Sequence, residues 1–71
     1  MTTYEITDYD TNETFTADTL TEITAHYWHT FAQEDALTGD MKTVLNQLER
    51  GTWDNFELYT YLGIHVHTVT N

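Results

Sequence analysis

The stretch "ITDYDTNETFT" (residues 6–16) places Asp8, Asp10, Asn12 and Glu13 within six positions, with no Lys or Arg nearby. Oxygen ligands at that density suggest a hard cation. Asp8, Asp10 and Asn12 match the first, third and fifth ligand positions of an EF-hand loop. That loop also needs Gly at its sixth position, for the sharp turn, and Glu at its twelfth, to close the shell. Those positions hold Glu13 and Thr19. The flanking residues read as strands where the motif needs helices. The expectation is a polar hairpin turn and no EF-hand.

The four histidines fall in two pairs. His26 and His29 are three apart and share one side of a helix; His65 and His67 are two apart and share one side of a strand. Either pair supplies two zinc ligands, but a site needs three or four converging groups, so the pairs read as half-exposed side chains beside aromatics and no metal or cofactor is expected. Nucleophilic chemistry has even less to work with. Cys and Ser are absent, and Gly39, Gly51 and Gly63 stand alone, so there is no phosphate-cradling loop. An acid pair or an acid–His pair is suited to acid–base catalysis, but a chain of 71 residues has little room for a pocket of several hundred cubic ångströms. The expectation is a protein that is not an enzyme.

Charge is the outstanding property. Twelve acids face only Lys42 and Arg50, for a net charge of −10. Residues 1–41 carry Glu5, Asp8, Asp10, Glu13, Asp18, Glu22, Glu34, Asp35 and Asp40 without one Lys or Arg. Such self-repulsion costs a small domain stability it can hardly spare. Direct binding to nucleic acid or to an anionic membrane needs Lys and Arg, so both are excluded as partners. Basic proteins and cations remain. Asp8 and Asp10, two apart on an extended chain, lie about 6.6 Å from each other on one face, and Asp18 and Glu22 are one helical turn apart. Carboxylate rows of this kind imitate nucleic-acid phosphates, to which binding proteins present Lys and Arg. The plain counterpart is a solvated acidic face that aids solubility.

These residues must be positioned by a few short elements. Residues 3–17 read as a hairpin, with Tyr4, Ile6, Phe15 and Ala17 on its buried face. "ADTLTEITAHYWHTFAQED" reads as a helix capped by Asp18 or Thr19, with Thr19 and Glu22 at capping-box spacing. Leu20, Ile23, Tyr27 and Phe31 form its apolar stripe, widened by Trp28. A second helix runs from about Asp40, its N-cap, to Glu49, with Met41, Val44, Leu45 and Leu48 inward and Gly51 as the stop. The tail is rich in aromatic and β-branched residues and favours two strands, 55–61 and 64–70, turning near Gly63. The rival is a short helix over 54–62, capped by Asp54 and ended by Gly63, followed by one strand. In the two-strand reading Tyr59, Tyr61, His65 and His67 point away from an inward row of Phe56, Leu58, Ile64 and Val66. Tyr59 and Tyr61 then offer the amphipathic rings that interfaces favour, and that face suits either a partner or a second copy. Trp28 and Trp53 read as core. The expected architecture is a single α+β domain over residues 1–71. A small antiparallel sheet, made of the N-terminal hairpin and the C-terminal strands, packs against two helices in the order ββααββ.

With its small size, its acidity and the opening "YEITDYDTNETFTADTLTEI", a hairpin running into a helix, the chain resembles the small inhibitors carried by phages and mobile elements. These include anti-CRISPR proteins, uracil-glycosylase inhibitors and other DNA mimics. The resemblance lies in composition over the whole chain, so it carries over no individual residue. It implies a cytoplasmic protein that blocks a host nucleic-acid-binding protein. An acidic halophile surface is the competing origin, and ten aromatics with few Ala and Gly speak against it. The start of the chain has neither the basic nor the apolar region of a signal peptide, and the absence of Cys suits a reducing compartment. Glu5, Asp8, Asp10, Glu13, Asp18, Glu22, Glu34, Asp35, Tyr59 and Tyr61 are the expected partner-binding residues. The alternative is a structural or self-associating module using the Tyr/His face as a homodimer contact.

Overall fold

Alternating apolar and polar residues build the first hairpin as expected. In the computed structural model, which describes residues 1–70, β1 (Thr2–Asp8) pairs antiparallel with β2 (Glu13–Ala17). Tyr4 lies opposite Ala17, Ile6 opposite Phe15, and Asp8 opposite Glu13. Strand alternation sends these six side chains to one face. β3 (Ile64–Thr70) pairs with the other edge of β1, placing Val66 opposite Ile6 and Ile64 opposite Asp8, so the sheet order is β2-β1-β3.

Three helices cover that face. α1 (Leu20–Gln33) starts at Thr19, whose Oγ1 accepts from the Glu22 N–H at 3.2 Å, while Glu22 Oε2 accepts from the Asp18 N–H at 3.3 Å. This is a reciprocal capping box one residue wider than usual on the return bond. α2 (Gly39–Arg50) is capped by Thr38, not by Asp40, because the Thr38 hydroxyl accepts the Met41 N–H at 3.2 Å. It ends at Gly51, whose φ of 81° is left-handed backbone that favours Gly. Ile23, Tyr27, Val44, Leu45, Leu48 and Leu58 meet Ile6, Ile64 and Val66 in a single buried cluster. Trp28 and Trp53 are half-buried against it, with Trp53 edge-on to Tyr4 at 6.3 Å.

The α+β class and the antiparallel sheet packed against helices stand as expected. One segment differs: residues 55–61 are not a strand. They form the rival helix, α3 (Asn55–Leu62), so three helices lie between β2 and β3. Asp54 Oδ1 accepts the Phe56 N–H at 2.8 Å, Gly63 closes the far end at φ 70°, and Leu58 and Leu62 are buried one turn apart. Two caps and an i, i+4 apolar pair outweigh the strand preference of the aromatics. A fourth strand would have paired with the free edge of β3. Instead Asn55 occupies that edge, accepting from the Val66 N–H at 2.9 Å and donating to the Val66 carbonyl at 3.1 Å.

Candidate binding surface

The turn after β1 gathers the first group of acids. Asp8 Oδ1 accepts from the N–H groups of Asp10 (2.9 Å) and Thr11 (3.2 Å), shaping the turn, and Asn12 adopts a left-handed φ of 58°. These are the roles that Asp and Asn play in turns. Asp8 Oδ2 also accepts from the Tyr27 hydroxyl at 3.0 Å. Burial pushes the Tyr27 phenol well above its ordinary range, and the Asp8 charge, its hydrogen bond and the charges of Asp10 and Glu13 push the same way. Asp8, Asp10 and Glu13 therefore act on one buried hydroxyl, and the structure does bring these three together.

Their roles differ from the expectation of a strand-borne row. β1 ends at Asp8, so Asp10 lies in the turn and not two places along a strand. Asp8 is half-buried and bonded to three donors, whereas Asp10 and Glu13 are exposed. Asp18 precedes the α1 cap and Glu22 closes the capping box, so these two are a cap and not a helical carboxylate pair. Glu5 points to the opposite, open face of the sheet, between Thr16 and His67. Alternation thus divides Glu5 from Asp8 and Glu13. Glu34 and Asp35 sit just past the C-terminal end of α1, whose last turn has no basic residue.

The aromatic residues are rearranged as well. Since 55–62 is helical, Tyr59 and Tyr61 do not share a face with His65 and His67, which lie on the open side of the sheet. Phe56, expected in the inward row, is 75% exposed. Tyr59 is 61% exposed and meets Tyr9 edge-on at 5.4 Å, which joins α3 to the acidic turn. The Tyr9 N–H donates to the Gly63 carbonyl at 2.9 Å and fixes the same junction. The Asp10 carboxylate lies against Gly63 at this junction, whereas Glu13 opens β2 and pairs with Asp8 across the other edge of β1.

A groove of about 350 Å³ opens between α2 and α3, lined by Asp40 and Val44 on one side and by Asp54, Phe56, Glu57 and Tyr61 on the other. The chain is long enough for such a groove after all. Among its residues only Tyr61 was anticipated from sequence as a binding residue. The caps Asp54 and Gly63 were the available signal, because a helix between them turns Phe56 outward. Neither histidine pair gains further ligands: among the described residues no three His, Asp or Glu side chains group as a metal site. His26 packs its ring against Phe15 and Tyr27 instead. No helix among the described residues is long and apolar enough to cross a membrane. Compared with known protein families, curated proteins and solved structures, the chain matches none.

Proposed function

We propose that the chain is a non-enzymatic binding protein that occupies the basic groove of a nucleic-acid-binding partner, as anti-CRISPR proteins and other DNA-mimic inhibitors do. The observation that carries this reading is the run of nine acids without a base over residues 1–41. Its members Asp10, in the turn, and Glu13, at the start of β2, are exposed. The acids at the end of α1 add support. A helix C-terminus carries partial negative charge, so Glu34 and Asp35 stand where an anion costs roughly 0.3–1 kcal/mol. Acids at a place that opposes folding support a role for the charge outside folding. Steering toward a basic partner is such a role.

Asp8 is better left intact in a test, because its carboxylate shapes the turn. The informative variant is Asp10→Lys with Glu13→Lys. The immobilised wild-type chain is expected to capture nucleic-acid-binding proteins from a host lysate, and to release them when salt or competing duplex DNA or RNA is added. The variant, folded by circular dichroism, is expected to capture at least tenfold less, an effect of about 1.4 kcal/mol. Capture that ignores both competing nucleic acid and the two reversals would overturn the proposal. A homodimer is the second reading, and sedimentation at high concentration measures it directly.

A further inference from the structure

We infer that the groove between α2 and α3 is a binding site for an arginine side chain presented by another protein. Its volume of about 350 Å³ is at the lower end of the range for ligand sites. Val44, only 3% exposed, belongs to the core at its base, while Phe56 and Tyr61 stand exposed at its sides. Phe56 gives the groove an exposed apolar wall that an occupant could cover. A 75% exposed Phe leaves unused most of the burial that would stabilise a small domain.

Charge decides what the occupant is. Asp40, Asp54 and Glu57 line the groove and no lining residue is basic. All three also lie at the starts of α2 and α3, where carboxylates offset the positive end of a helix. Two helix starts supply about half a positive charge each, so three carboxylates leave roughly two negative charges in excess. An anion is repelled, and a purely apolar segment would desolvate the carboxylates without pairing them. A second copy of this chain brings a further charge of −10. An arginine meets both demands, since its planar guanidinium stacks on an aromatic ring and forks onto a carboxylate. Lysine, a strongly hydrated point charge, gains less from the rings. This inference does not require the partner to bind nucleic acid.

The test is an amide-resolved NMR titration of the full chain with blocked tri-arginine and tri-lysine peptides at near-physiological salt. The arginine peptide is expected to shift the signals of residues 40–44 and 54–61 before those of residues 8–13, and to bind more tightly than the lysine peptide. Phe56→Ala combined with Glu57→Gln is expected to weaken it about tenfold, the scale of one ring contact and one charge contact. Phe56 is exposed, and a matching thermal melt confirms that the variant is folded. Asp10→Asn with Glu13→Gln is expected to leave peptide binding unchanged, so failure of the nucleic-acid-mimic reading and failure of this one are separable. Shifts spread evenly over all acidic segments, no shifts at millimolar peptide, or equal binding by the groove variant would each overturn the inference.

Discussion

The Asp8 carboxylate accepts from two backbone N–H groups in the turn and from the Tyr27 hydroxyl. In the sequence Asp8 is indistinguishable from Asp10, since both are acids in a turn-forming stretch. Only the helix α1, delivering Tyr27 from nineteen positions along the chain, makes one structural and leaves the other exposed. The bond has a measurable consequence. Burial and three carboxylate charges raise the Tyr27 pKa in the folded state, so the folded protein holds that proton more tightly than the unfolded chain. Its contribution to stability is complete below the ordinary tyrosine pKa of about 10 and is lost progressively as pH rises beyond it. Tyr27→Phe is expected to cost about 1 kcal/mol at neutral pH, through the orphaned Asp8 bond. It should also flatten the alkaline decline. Urea midpoints of both proteins between pH 7 and 11 provide the check, and parallel declines would show that Tyr27 does not set the alkaline limit.

At the level of elements, the hairpin, α1, α2 and β3 were all readable, because each carries a clear period. Residues 55–62 were not, because composition and capping disagree there. Phe56, Tyr59, Thr60 and Tyr61 favour a strand, while Asp54 and Gly63 delimit a helix. The tertiary fact that settles the matter, Asn55 seated on the backbone of Val66, involves residues eleven apart and leaves no periodic trace. The same side chain protects the sheet. Val66 turns its N–H and carbonyl toward the free edge of β3, and an open edge is a template for pairing with another chain. Asn55→Ala is expected to cost about 1–3 kcal/mol, since it leaves two half-buried backbone groups unsatisfied. Light scattering on warming should begin at a lower temperature than the drop in stability alone produces. Aggregation that merely tracks unfolding would argue against edge protection.

Over the whole molecule, twelve acids and two bases surround a core drawn from a chain of 71 residues. The sign of the charge and the class of fold could be read from composition and periodicity. The distribution of charge could not, because strand alternation and helix ends scatter Glu5, the Asp8–Glu13 turn, Glu34 and Asp35, and the groove acids over different faces. Two cations cannot neutralise such a surface, so its repulsion is long-ranged and open to screening. The Debye length falls from about 30 Å at 0.01 M salt to about 10 Å at 0.1 M, against molecular dimensions of 37 × 24 × 20 Å. At the lower salt each acid therefore feels almost all the others, and at the higher only its neighbours. Stability should rise with sodium chloride across this range, most steeply at its dilute end. Glu34→Lys removes one negative charge, adds a positive one and puts a cation at the C-terminal end of α1. It is expected to raise stability by about 0.5–1 kcal/mol in dilute salt and by less at 0.5 M. Thermal melts of the two proteins across that salt series measure the difference. A gain that salt leaves unchanged would place the benefit in local packing at Glu34 and not in the relief of repulsion across the molecule.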